Sequence, residues 1–140
     1  MKISEIKIVE WFLRLSLSAG LLSAVADRLG LWDKAHSAWG NWGNFVTYTK
    51  TLNPLFPDAV IPFLAGISTF LEIAFGIGLL LNFKTAVVAK GCGCLLLLFA
   101  LAMTFSNSIK APLDYSVFSA SAAAFALSVI TKYKWNKIIV

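Results

Sequence analysis

Two residues of opposite charge sit inside stretches that otherwise read as membrane-spanning: Arg14 in the first apolar run and Glu72 in the second. An unpaired charge near the centre of a bilayer costs roughly 3 kcal/mol or more, so such residues find partners, perform a task, or both. A buried ion pair can fix the register of two helices, and it can equally serve a proton- or ligand-handling site. Both uses are open for Arg14 and Glu72. Glu10 precedes Arg14 by four residues, in the favourable acid-to-base order on one helix. Arg14 is therefore expected to be bracketed by Glu10 and Glu72.

Few other residues could do chemistry. His36 is the single histidine, so one chain cannot assemble a bis-histidine haem or a histidine metal cluster. Cys92 and Cys94 are two apart on an expected helix and point to nearly opposite sides, which reads as packing rather than a disulfide. No phosphate-binding glycine loop, dinucleotide fingerprint or nucleophile elbow is present.

The elements that must position the charges are four apolar runs, about 8–29, 60–81, 85–105 and 115–131, each close to the length a helix needs to cross a hydrocarbon core. The chain of 140 residues is 59% hydrophobic and 14% charged, with mean hydropathy +0.78. That composition lies outside the soluble globular range. The alternation of a β-barrel is absent, so the expected fold is an all-α membrane protein, a four-transmembrane-helix bundle forming one domain over residues 1–140. Lys2, Lys7 and Arg14 followed by Leu15 to Ala26 imitate a secretory signal, but Glu10 and Arg14 interrupt the run, and a retained span is expected.

Helix arithmetic places Arg14 about 9 Å inside one end of the first span and Glu72 about 14 Å from the same end of the second. Long side chains bridge that offset if the two spans are neighbours. The polar face of the first span continues to Asp27 and Arg28 at its far end, and Ala65, Ser68 or Thr69, Glu72 and Gly76 form a small, polar face on the second. Ser119 and Ala123 offer a similar face on the last span.

Asn82 is expected to end the second span in a left-handed conformation and Thr85 to cap the third across a tight turn. The first connection is long, and Trp39, Trp42, Phe45 and Tyr48 recur at helical spacing within it. This predicts a short amphipathic helix at the membrane interface, with Trp39, Trp42 and Tyr48 on its aromatic face. Asp58 is placed to cap the second span, with Pro62 in its first turn, and Asp114 to cap the last.

Basic residues flanking the spans set orientation. Lys2, Lys7, Lys84, Lys90, Lys132, Lys134 and Lys137 fall on one side, against Arg28, Lys34, Lys50 and Lys110 on the other, so both termini are expected in the cytoplasm. The net charge of +5 suits anionic lipid and does not call for nucleic acid.

Trp11-Phe12-Leu13-Arg14-Leu15 with Ser23-Ala24-Val25-Ala26-Asp27-Arg28-Leu29-Gly30 resembles the first helix of the DoxX family. Glu72-Ile73-Ala74-Phe75-Gly76 with Leu79-Leu80-Leu81 resembles its second helix, and Ala111-Pro112-Leu113-Asp114-Tyr115-Ser116 is similar to a subgroup of that family. The resemblance implies a multi-pass protein of the bacterial inner membrane associated with redox systems, some of them quinone-linked. An outer-facing Cys-x-x-Cys is lacking, which separates this chain from thiol-exchanging membrane oxidoreductases.

The leading expectation is a membrane subunit of a redox or quinone-linked assembly, at most a quinone-contacting part of an oxidoreductase and with no covalently bound cofactor. Arg14 and Glu72 would form its buried polar element, and Asp27, Arg28, Trp39, Trp42, Lys110, Asp114 and Tyr115 its outer mouth. The expected partners are the bilayer, membrane or peripheral proteins, and further copies of the chain. An assembly factor or chaperone for membrane proteins, using the aromatic helix as its contact surface, is the alternative. A carrier of a small hydrophobic solute ranks third.

Overall fold

A computed structural model describes residues 3–138 and places them almost entirely in helices. Lys2 lies outside the described residues, as do the side chains of Lys134 and Lys137. The long helices are α1 (Ile3–Arg28), α3 (Ile61–Leu80), α4 (Thr85–Ser106) and α6 (Val117–Ile138), with two short ones, α2 (Trp42–Leu52) in the first connection and α5 (Lys110–Asp114) in the last. Three segments are long and apolar enough to cross a membrane, Ser4–Arg28, Asp58–Leu80 and Thr85–Ser106; the apolar stretch of α6, Val117–Tyr133, is shorter.

The four long helices close into a ring in which α1 packs on α3, α3 on α4, α4 on α6 and α6 on α1. Leu17, Leu21, Leu79, Ala89, Cys92, Ala124 and Leu127 fill its centre. The burial pattern is the reverse of a water-soluble bundle. On α1 the buried positions include Glu10, Arg14, Ser18, Asp27 and Arg28, while Ile8, Phe12 and Leu15 face outward. Phe63, Ile67 and Phe70 on α3 and Val87, Leu98 and Phe105 on α4 are likewise outward. A continuous apolar exterior around a polar seam is what a lipid solvent selects, because tails cannot satisfy hydrogen-bonding groups.

Small residues and hydroxyls set the helix contacts. A Cβ at Gly76 would lie 2.9 Å from Leu22, so only glycine admits α1 at this depth. Ser18 donates to the Gly76 carbonyl at 2.7 Å beside it. Ser121 donates to the Gly93 carbonyl at 2.8 Å and Ser128 to the Ala86 carbonyl at 2.7 Å, joining α6 to α4. The expected polar faces of the first and second spans are those that pack. On the last span Ala123 and its neighbour Ala124 pack inward as expected, but Ser119 is exposed and Ser121 takes its place on the buried stripe.

Several end signals fall differently from expectation. The left-handed residue between α3 and α4 is Lys84, φ 45°, not Asn82, and Thr85 opens α4 without acting as its side-chain cap. Asn82 instead turns its amide oxygen to Arg14. Asp58 begins a single 3-10 turn, Asp58–Val60, and pairs with Lys50 at 2.7 Å. Pro62 does occupy the first turn of α3. Asp114 ends α5 rather than starting α6, because Ser116 at φ 56° separates the two helices.

Candidate functional site

Glu72 does not meet Arg14. Its carboxylate takes a bidentate ion pair with Arg28, with Nη1 on Oε2 and Nη2 at 2.9 Å from Oε1. Nη1 also donates to Thr69 Oγ1 at 2.8 Å. Register and side-chain direction explain the exchange. Ser18 lies level with Gly76 on antiparallel α1 and α3, which puts Glu72 about 9 Å from the level of Arg28 and about 12 Å from that of Arg14. Side chains on a helix lean toward its N-terminus. Arg28 therefore leans back along α1 toward Glu72, and Glu72 leans back along α3 toward Arg28. Arg14 and Glu72 lean away from each other.

Arg14 closes a different gap. It is 1% exposed, and its Nε donates to the Leu79 carbonyl at 2.6 Å, with Nη2 at 3.1 Å from the Leu81 carbonyl and 3.5 Å from that of Leu80. Nη1 reaches Glu10 Oε1 and Asn82 Oδ1, each at 3.4 Å, so the expected Glu10 partnership is present. The guanidinium lies 4.1 Å from the Trp11 ring centroid. The last carbonyls of a helix lack intrahelical donors and sit at the negative end of its dipole. Arg14 thus caps α3 from the neighbouring helix.

Around Arg28 the arrangement faces a void. A cavity of about 940 Å³ lies between α3 and α4 beneath α2, with Arg28 and Glu72 in its wall. Leu64, Leu71, Leu95, Phe99 and Met103 supply much of its apolar surface, and Ser68, Thr49 and Tyr48 add hydroxyls. The guanidinium is covered by Phe45, 3.8 Å from its ring centroid, and by Trp39 at 5.2 Å. Phe45 and Tyr48 in turn pack on Trp39, with ring centroids 5.1 and 5.6 Å away. Arg28 is 3% exposed, and its Nε has no hydrogen-bond partner among the described residues.

Asp27 holds this cover in place. Its carboxylate accepts from the backbone N–H groups of Ala38 at 2.7 Å, Trp39 at 3.3 Å and Gly40 at 2.9 Å, which ties the loop ahead of α2 to the end of α1. Asn41 then caps α2 by accepting from the Asn44 N–H at 2.8 Å. Burial, reinforced by the nearby Tyr115, raises the Tyr48 phenol above its ordinary value, so it remains a neutral donor.

The expected outer-mouth residues divide. Arg28, Trp39 and Tyr115 line the cavity, the last at 76% exposure and so at its rim. Asp27 is a loop anchor, and Lys110 with Asp114 forms an exposed i, i+4 pair away from the cavity wall, set by their spacing on α5. Trp39 precedes α2 and turns inward with Tyr48, whereas Trp42 is 38% exposed. Cys92 is buried and Cys94 exposed, both as free thiols, in keeping with opposite directions on α4. Thr69 and Phe45 had no charge or motif to mark them as contacts of Arg28. The lean of side chains toward helix N-termini was the available signal for the Arg28–Glu72 pair.

Comparison with models of protein families, with curated proteins and with solved structures gives no match for this chain.

Proposed function

We propose that this chain is a small integral-membrane subunit of a redox assembly that holds a quinone-class molecule in the cavity beneath α2. The observation that carries this reading is a large apolar cavity whose wall contains one bidentate Arg28–Glu72 pair, neutral as a unit, with the Tyr48 phenol as a neutral donor on the lining. Binding sites for small apolar molecules are mostly apolar, with a few convergent polar groups that orient the ligand. A neutral ion pair discriminates against charged heads, and a phenol donor suits a carbonyl oxygen. The ring faces of Trp39 and Phe45 keep water from the pair. A bound quinone would supply carriage of electrons and protons; the chain supplies the dry pocket and the oriented donor.

The two stretches that resemble DoxX contribute Arg28 and Glu72, which supports assigning the chain to that family. In this reading α6 is the fourth span, both termini lie in the cytoplasm of a bacterium, and α2 covers the outer side of the bundle. The inward turn of Trp39 and Tyr48 reduces the aromatic contact surface that an assembly factor would use.

Purification in mild detergent, followed by absorption spectroscopy and mass spectrometry of the extract, tests the reading. Bound quinone, or saturable uptake of added quinone near one per chain, is expected. Neither bound quinone nor saturable binding by the purified chain would overturn it.

A further inference from the structure

The cavity is not closed on all sides. Near their connecting turn α3 and α4 are in tight contact, since a Cβ at Gly91 would lie 2.8 Å from the Phe75 ring and one at Gly78 3.0 Å from Val88. Farther from the turn the two helices border the cavity instead. Ile67 on α3 and Leu98 on α4 both line it and are 58% and 64% exposed on the outside of the bundle. Ile67 lies about 9 Å from the start of α3 and Leu98 about 12 Å from the end of α4, well within the roughly 30 Å of hydrocarbon that these helices are long enough to span. A gap at that depth opens to lipid tails, not to water.

The opposite wall is polar. Arg28 is buried with its Nη atoms engaged by Glu72 and Thr69, and the half-buried Tyr48 adds a neutral phenol to the cavity lining. A carbonyl oxygen accepts from a phenol without breaking the ion pair, whereas a carboxylate or phosphate would compete with Glu72 for the guanidinium.

We infer that the site takes a single-chain lipid with an uncharged, hydrogen-bond-accepting head, which enters sideways from the bilayer, sets its head against Tyr48 and the Arg28–Glu72 wall and leaves its chain lying in the gap between Ile67 and Leu98. This rests on the reading of the cavity as a quinone-class site and adds the requirement for one chain and the route it takes. The route explains why the gap is rimmed by aliphatic side chains at membrane depth while the aromatic cover sits over the head.

Binding to the purified chain in nanodiscs, with one benzoquinone head carrying either no chain or a decyl chain, separates head from chain. Ile67→Trp and, independently, Leu98→Trp fill the gap from positions that face lipid, and an unchanged melting temperature shows that each variant folds. Each should weaken the decyl compound at least tenfold while leaving the chainless head within twofold; Phe12→Trp, exposed on α1 and outside the cavity lining, should change neither. Comparing each compound only between wild type and variant removes the difference in membrane partitioning. Monolauroylglycerol, uncharged but not a quinone, and dodecyl phosphate, charged, complete the set.

Full decyl affinity in both gap variants would overturn the route while leaving quinone binding intact. Gap-sensitive binding of monolauroylglycerol without binding of either benzoquinone would support the route and refute the quinone reading. Preference for dodecyl phosphate would overturn the uncharged head, and no saturable binding of any probe would overturn both proposals.

Discussion

Two arginines on one helix, both almost fully buried, are put to different uses. Arg14 spends its donors on a fan of carbonyls at the end of α3, on Asn82 and on Glu10 of its own helix. Arg28 engages a carboxylate and a hydroxyl on α3, lies under two aromatic rings and forms part of a cavity wall. The comparison teaches that burial of a charge within a bundle does not by itself mark a binding site. What distinguishes the two is whether the buried charge borders a cavity.

The largest effect should come from separating the Arg28–Glu72 pair. Arg28→Leu strands the Glu72 carboxylate and should cost about 3–5 kcal/mol, and adding Glu72→Leu should restore most of it. Unfolding in mixed micelles, carried through a double-mutant cycle, reads the coupling. The same cycle with Arg14→Leu and Glu72→Leu should give a coupling within about 0.5 kcal/mol of zero, because these residues share no contact. A strong Arg14–Glu72 coupling would show that the two arginines are not independent.

Arg14→Lys sharpens the contrast at the next level. A lysine cannot span several carbonyls with a planar fork, so a loss of about 1–3 kcal/mol is expected with quinone affinity unchanged. Arg28→Lys keeps the charge but gives up the bidentate grip on Glu72 that shapes the cavity wall, and calorimetric or fluorescence titration should show about a tenfold loss of quinone affinity. If both lysine variants affected binding equally, the division of labour would fail.

Ser18→Ala provides the small end of the scale. It removes the 2.7 Å bond to the Gly76 carbonyl, one turn from Arg14, and should cost about 0.6 kcal/mol. Melting in detergent should show this shift with ligand binding intact.

Much of the bundle could be read from residue order. The runs containing α1, α3 and α4 were delimited to within a few residues at most ends, because a long apolar stretch records the thickness it must cross. The seam of Glu10, Arg14 and Arg28 followed from helical periodicity, as did the face of Ala65, Glu72 and Gly76. The end signals were harder to read. Asp58 and Asp114 are good capping residues that found lysines instead, since an exposed carboxylate has several local partners of similar worth. On α6 the alanines near 123 do pack inward while Ser119 gives way to Ser121, because a helix rich in alanine and serine shows little contrast between its faces.

Residue order alone determined that this chain builds apolar helices around buried charges, since hydrophobic length and helical period are properties of each segment by itself. Which cation Glu72 meets was decided only when α1 and α3 packed. That choice depends on the vertical register fixed where Ser18 and Leu22 meet Gly76, and on the lean of side chains along antiparallel helices. The cavity is likewise a tertiary product. It exists because α3 and α4 touch closely near Gly78 and Gly91, border an open space farther along, and are bridged there by α2, whose preceding loop Asp27 holds in place.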